Sequence, residues 1–266
     1  MPVRAPEFQP RRFRSTVPYY ARYRLGYPDR LIRRVAELTG LKPGERVVDL
    51  GCGPGLLALP FAKLGAAVIG VDPEPDMLEA ARAAAEEAGL HIAFRQGSSF
   101  DLPPDPGAVK LVAMGRSFHW MDRAATLAAL DRIVVPDGAV VLFGEHRPET
   151  RENGWRATIE AVGKSYGTDE ASFRKQWRGA ERRSHESYLF DSSFCDLEGA
   201  SVFVRNALST DDIIGRVLSL SLSSPERLGE HRAAFEADLR AALSEFAPDG
   251  KFTEIAEIFA TVARRP

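Results

Sequence analysis

The chain is predicted to be an α/β protein built on a doubly wound, mostly parallel sheet. Three observations predict it. Short β-branched apolar runs alternate with helical stretches between Arg46 and His146. Those runs are apolar throughout, as strands covered on both faces are. The first of them ends in Asp49-Leu50-Gly51-Cys52-Gly53-Pro54-Gly55, an acid followed by three glycines spaced two apart, and leads into an apolar helix. Glycine runs at a strand-to-helix turn supply positive φ or let another group approach the main chain.

The elements follow in order. Residues 1–40 read as helical, with Leu31, Ile32, Val35 and Leu38 forming one apolar stripe. Arg46 to Asp49 is the first strand. Leu56 to Leu64 is a helix closed by Gly65 as the residue past its end. Residues 66–73 form a second strand ending in Asp72. Asp76 is expected to cap the next helix, with Glu79 completing a capping box. Residues 92–97 and 109–115 are the third and fourth strands. Asp122 caps the helix beginning at Arg123. Asp137-Gly138 reads as a turn ahead of a fifth strand at 139–146. From Arg151 to about Gly199 the rhythm breaks into an aromatic and basic segment carrying Trp155, Tyr166, Phe173, Trp177, Tyr188 and Phe190. It resumes with a strand at 200–206 and helices at 210–220 and 225–244. Residues 253–265 fit either a last strand or a helix. The expected division is an N-terminal helical lid over 1–40, a core over 41–150, a cap insertion over 151–199, and a C-terminal part of the core over 200–266.

Bulk properties narrow the classes. The 266 residues are 44% hydrophobic and 27% charged, with net charge −2, so neither nucleic acid nor an anionic membrane is demanded as a partner. Basic residues cluster at 4–34 and 174–183. The two cysteines, Cys52 and Cys195, suggest no disulfide framework and make no zinc site alone. No apolar run reaches membrane-spanning length, and the Arg-rich N-terminus lacks the apolar region of a secretory signal. The expectation is a cytoplasmic protein, monomer or homodimer, with no membrane or nucleic-acid partner and no metal.

The glycine run admits more than one reading. A bare tight turn needs no ligand. The dinucleotide pattern G-x-G-x-x-G/A is met formally by Gly53, Gly55 and Ala58. The fuller pattern D-x-G-x-G-x-G, on Asp49, Gly51, Gly53 and Gly55, resembles motif I of the class I S-adenosylmethionine-dependent methyltransferases. Residues 115–122, Gly-Arg-Ser-Phe-His-Trp-Met-Asp, resemble the A-F-H-W-F-D signature of a subgroup that includes the trans-aconitate methyltransferase-like proteins. The segment Tyr-Tyr-Ala-Arg-Tyr-Arg-Leu-Gly-Tyr-Pro at 19–28 is similar to that subgroup's N-terminal Y…R…YP, and the stretch from Leu208 resembles its C-terminal region.

The resemblance implies a Rossmann-like methyltransferase fold of seven strands, with S-adenosyl-L-methionine as cofactor and S-adenosyl-L-homocysteine as product. It implies that Asp49 helps hold the cofactor's amino group, with Gly51, Cys52, Gly53 and Gly55 beneath the methionine part. Asp72 at the end of the second strand can accept from both ribose hydroxyls, with Pro73 and Met77 beside it. Ser98, Ser99 and Phe100 follow the third strand, Met114 and Gly115 close the fourth, and Tyr20 comes from the lid. Ser98 departs from the pattern, standing where the family carries an acid for the adenine amino group; backbone or Asp101 would then serve. Tyr19, Tyr23, Arg116, His119, Trp120 and His146 are the candidate acceptor-site residues. His119 is the candidate base, since a neutral imidazole can take a proton from a hydroxyl or amine; packing of its loop on the cofactor is the structural alternative. Tyr19, Tyr20 and Tyr23 either close over the cofactor or staple the N-terminal helix. Arg116 can clamp an anion, and Glu145 is either the partner of His146 or surface charge.

The leading function is methyl transfer to a small-molecule acceptor at oxygen, nitrogen or carboxylate. The alternatives are an RNA or protein methyltransferase, a non-catalytic S-adenosylmethionine-binding protein and, last, an NAD-linked oxidoreductase.

Overall fold

In the computed structural model, which describes residues 14–100, 102, 108–168 and 183–266, the apolar runs form one seven-stranded sheet. In chain order the elements are α1 (Val17–Tyr23), α2 (Asp29–Thr39), β1 (Arg46–Leu50), α3 (Ala58–Lys63), β2 (Ala67–Asp72), α4 (Pro75–Glu87), β3 (Ala93–Gln96), β4 (Val109–Gly115), α5 (Arg123–Leu130), β5 (Val134–His146), α6 (Arg156–Ser165), α7 (His185–Phe190), β6 (Asp196–Ser209), α8 (Thr210–Leu218), α9 (Pro225–Leu228), α10 (Arg232–Phe246) and β7 (Lys251–Arg264). The basic run at 174–183 up to Arg182, the N-terminal basic residues before Arg14, Asp101, Phe173 and Trp177 lie outside the described residues.

The sheet order is β3-β2-β1-β4-β5-β7-β6. The first five strands are parallel to one another. β7 runs antiparallel between β5 and β6. The chain leaves β1 toward β2 and β3 on one side, then returns past β1 to place β4 and β5 on the other. The boundary between β1 and β4 is therefore the topological switch point, where the carboxyl ends of open α/β sheets leave a crevice.

Alternation along β1 explains the packing. Val47 joins Leu31, Ile32, Val35 and Phe61 in a core under α2 and α3. Val48 and Leu50 join Met114, Leu127 and Leu130 in a second core under α5 and α7. A third core holds Trp155, Ile213, Val217, Phe235 and Leu239, gathering α6, α8 and α10 into a helical layer. α6, within the aromatic stretch, thus packs on helices that follow β6.

Several expected details change. Asp76 does not cap α4: the N-cap is Glu74, with no side-chain bond, Pro75 in the first turn and Asp76 beside it. Proline fits a first helical turn because its missing N–H costs nothing there. Asp122 does cap α5, accepting from Ala125 N at 3.1 Å. Asp137-Gly138 is not a turn between elements. It lies within β5, where the register against β4 shifts between Val109 and Leu111, and the Lys110 ammonium donates to Asp137 at 2.9 Å. β6 begins at Asp196 and β7 is a strand, its alternating burial resolving the ambiguity. Glu257 alternates with the core residues, whereas Glu254 shares the buried face of the pleat with Phe252, Ala256 and Ile258. No helix among the described residues is long and apolar enough to cross a membrane.

Candidate cofactor and acceptor site

The glycine loop is built by three left-handed residues. Gly51, Gly53 and Gly55 have φ of +73°, +52° and +88°. Their reasons differ. A Cβ on Gly51 would lie 2.6 Å from the Ser117 Cβ, and one on Gly55 would lie 2.5 Å from Leu59 Cδ1, so both glycines make room for the protein itself. A Cβ on Gly53 would meet nothing within 4 Å. That residue has positive φ and faces open space in the cavity wall, as a main chain prepared for a ligand does.

Asp72 fixes this loop from the neighbouring strand. Its Oδ2 accepts from Gly53 N at 2.8 Å and its Oδ1 from Glu74 N at 2.9 Å. Burial pushes the Asp72 carboxyl up to about 6 against the lowering effect of those two N–H groups. Ser117 ties the loop on the other side, donating to Leu50 O at 2.7 Å. Asp49 is 1% exposed, and its Oδ2 has no hydrogen-bond partner among the described residues. Burial raises it to about 8, with Asp72 adding to the rise. Asp49 lies behind the cavity wall, which Leu50, Gly51 and Gly53 form in front of it.

A cavity of about 1540 Å³ opens over the carboxyl ends of β1, β4 and β5 and extends under the helical layer. Small-molecule sites run to ~300–1,000 Å³, so this one has room for two ligands side by side. Gly51, Gly53, Asp72, Pro73, Met77, Ser98, Ser99, Phe100 and Gly115 stand in its wall at one end, with Tyr20 from α1. Arg116, His119, Trp120 and His146 also line it. The sequence reading is corrected for the others. Cys52 is buried in the loop, and Met114 is a core residue under α5, so Gly115 alone of the pair reaches the wall. Neither Tyr19 nor Tyr23 lines the cavity: the Tyr19 hydroxyl accepts from Arg232 at 2.7 Å, while Tyr23 packs so tightly on Gly215 of α8 that a Cβ there would lie 2.4 Å from its ring. These two tyrosines staple α1, and Tyr20 is the one turned to the cavity. Ser98 Oγ accepts from Phe100 N at 3.2 Å, forming a local turn below the exposed Phe100 ring.

His119 lies exposed in a short 3₁₀ turn, Phe118–Trp120, its ring centroid 4.8 Å from that of Trp120. Buried Phe118 anchors the turn, packing edge-on to His185 at 5.2 Å.

Sequence reasoning missed the polar floor of the cavity. Glu145 is neither the partner of His146 nor surface charge. It receives Arg116 at 2.8 Å, Arg147 at 3.1 Å and Arg24 at 3.6 Å. Glu254 on β7, fully buried, receives Arg147 and Arg216 at 2.6 Å each. His146 instead faces Glu257 at 3.9 Å from an exposed position. Burial alone would raise Glu145; Arg116, Arg147 and Arg24 overcome it and hold the carboxyl at about 2. Arg116 is also the one non-glycine residue among those described with positive φ, +55°. Such a conformation costs ~1–3 kcal/mol and persists where the surroundings impose it. Here Glu145, the Leu25 carbonyl at 3.0 Å and the Tyr27 ring at 4.9 Å impose it. The residues stand just past the ends of α1 and β4, at the end of β5, and within β7 and α8, so no local pattern announces the cluster.

Fold and site together define a doubly wound α/β protein with a nucleotide-cofactor crevice at β1 and β4. The comparisons make this specific. A family model described as a methyltransferase domain matches residues 47–138. An uncharacterised methyltransferase of Mycobacterium bovis is 31% identical over 157 residues, 59% of each chain. A ubiquinone biosynthesis O-methyltransferase of Azorhizobium caulinodans is 35% identical over 124 residues, 45% of this chain and 49% of that one. The chain thus aligns with about half to three-fifths of the length of these relatives. An S-adenosylmethionine-dependent methyltransferase from Thiobacillus denitrificans, solved with S-adenosyl-L-homocysteine, superposes with TM-score 0.54 at 20% identity, covering 96% of this chain and 99% of that one. Residues 47–138 thus match a methyltransferase domain, and the rest of the chain shares the fold of S-adenosylmethionine-dependent methyltransferases. The matches single out no subgroup among these.

Proposed function

We propose that the protein transfers a methyl group from S-adenosyl-L-methionine to a small-molecule acceptor, releasing S-adenosyl-L-homocysteine. The observation that carries the reading is the loop at Gly53, open to the cavity, left-handed, and pinned by Asp72. The cofactor, when bound, supplies an electrophilic methyl on a sulfonium. The chain's residues do the rest. Gly53 offers main chain without side-chain bulk, and Asp49 meets the amino group. Asp72 offers its carboxylate to the ribose hydroxyls. The acceptor's lone pair forms the new bond to the methyl carbon as the carbon–sulfur pair returns to sulfur, so the acceptor must be held in line. Trp120, Met121 and Tyr20 wall that space, and a site closed to water favours the reaction of a sulfonium. His119 receives the proton of a hydroxyl or amine acceptor. The relatives named for ubiquinone O-methylation support a small acceptor, and the cavity's volume supports two ligands at once.

The test is product formation: S-adenosyl-L-homocysteine released on addition of a panel of hydroxyl, amine and carboxylate acceptors. Turnover with a hydroxyl or amine acceptor is expected to fall ~100-fold in His119→Gln below pH 8, within the range for general-base removal. An unchanged pH–rate profile in that variant removes His119 from the proton path.

A further inference from the structure

We infer that the acceptor carries a fixed oxyanion, a carboxylate or phosphate group other than the atom that is methylated, and that Arg24, Arg116, Arg147 and Arg216 hold it. The inference rests on the proposed methyl-transfer reading and names the chemical class of its acceptor.

The starting point is an imbalance. Four guanidinium groups share two carboxylates, Glu145 and Glu254, which leaves two positive charges in excess. All four arginine side chains are only 10–15% exposed, and all four line the cavity. Arginine does not escape by losing its proton, and unmatched buried charge is costly. Nearby acids do not supply the balance. Glu149, Glu160 and Glu186 line the cavity as exposed residues, the buried Glu74 stands beside Asp72 after β2 and makes no ion pair with these arginines, and Asp72 is spent on the glycine loop.

Donor capacity is left over as well. The Nε atoms of Arg24 and Arg116 are buried with no hydrogen-bond partner among the described residues. Arg24 has only the long 3.6 Å approach to Glu145, and its guanidinium lies over the Tyr20 ring at 5.0 Å. The planar fork of a guanidinium matches carboxylate and phosphate oxygens in pairs. Arg116 brings this floor to within three residues of His119 and Arg24 brings it to Tyr20, so a bound anion would lie between the lid, the turn after β4 and the helical layer.

The anion is a handle and not the nucleophile. Its lone pairs would be engaged in charge-assisted hydrogen bonds, which withdraws the density a methyl acceptor must donate. Its negative charge would instead screen a cationic sulfonium from the arginines. A purely apolar acceptor would leave that floor unmatched, and sites built to bond a polar group reject analogues lacking it.

The experiment is calorimetric titration of the full chain saturated with S-adenosyl-L-homocysteine, using succinate, glutarate, inorganic phosphate and the neutral succinamide. At least one anion is expected to bind 10-fold or more tightly than succinamide, and to lose 10-fold or more in Arg24→Gln and in Arg147→Gln. Preference for the dicarboxylates or for phosphate identifies the anion. Both variants should still bind S-adenosyl-L-homocysteine, which shows them folded; if Arg147→Gln does not fold, Arg24→Gln and the wild-type series decide. Equal weakness of all three anions and succinamide in protein that binds S-adenosyl-L-homocysteine overturns the inference. Anion selectivity in protein that binds no S-adenosyl-L-homocysteine overturns the methyl-transfer reading and leaves the anion site standing.

Discussion

At the scale of single residues, Gly53 and Asp72 carry the cofactor end of the site. Replacing Asp72 by Asn keeps the shape and removes the charge that orders the Gly53 and Glu74 N–H groups. Hydrogen bonds to charged groups contribute ~1.5–3 kcal/mol, so S-adenosyl-L-homocysteine affinity should fall about 10- to 100-fold by calorimetry. Gly53→Val should abolish binding, because positive φ strains a β-branched residue and its side chain would fill the ligand's approach. Asp49 gives a prediction with a sign. Its folded value near 8 lies above the ordinary carboxylate value, so between about pH 4 and pH 8 the folded protein keeps a proton the unfolded chain has lost. Stability of the ligand-free protein should therefore fall as pH rises through that window, and Asp72 adds the same sign up to about pH 6. Glu145 acts oppositely: its low value contributes stability above the ordinary carboxylate range that is lost as pH falls toward 2. Urea midpoints at pH 5, 6, 7 and 8 should decline in the wild type and flatten in Asp49→Asn. A wild-type curve that rises across this range contradicts the assignment.

At the scale of elements, α1 is held by tyrosine packing, and its displacement should be measurable. Gly215 in α8 accepts the Tyr23 ring where any Cβ would collide at 2.4 Å. Overpacking of this kind costs ~1–3 kcal/mol. Gly215→Ala should loosen α1 from α8, seen as faster tryptic cleavage after Arg22 and Arg24, with the sheet's thermal midpoint little changed. Equal cleavage rates would show that α1 does not depend on that contact. The parallel strands and the glycine loop were legible in the sequence because each is a local signal: continuous β-branched runs, and glycines at fixed spacing. α4's cap was misread because Asp76 looks like a cap by type, whereas Pro75 had already started the helix. The Asp137-Gly138 pair was misread because a register shift inside β5 uses the same residues as a hairpin turn.

At the scale of the whole molecule, the acceptor end was hidden because it is assembled from long-range pairs. Arg24, Arg116, Glu145, Arg216 and Glu254 are separated by up to 230 residues, and only the sheet order brings β4, β5 and β7 together beneath α8. Arg116 reads from its place after the fourth strand as a candidate anion clamp, but Arg24, Arg216 and Glu254 carry no such local signal. Burial of a cluster cannot be inferred from spacing, whereas the cofactor loop needs only one strand and one turn. The cofactor reading is also what the acceptor floor depends on, so it is the claim to test first. The measurement is calorimetric titration of the protein with S-adenosyl-L-methionine, S-adenosyl-L-homocysteine and NAD⁺ at pH 7.5. Binding of both adenosyl ligands, weakened about 10- to 100-fold in Asp72→Asn, with no binding of NAD⁺, is the predicted result. Binding of NAD⁺ alone would contradict the account and leave only the fold.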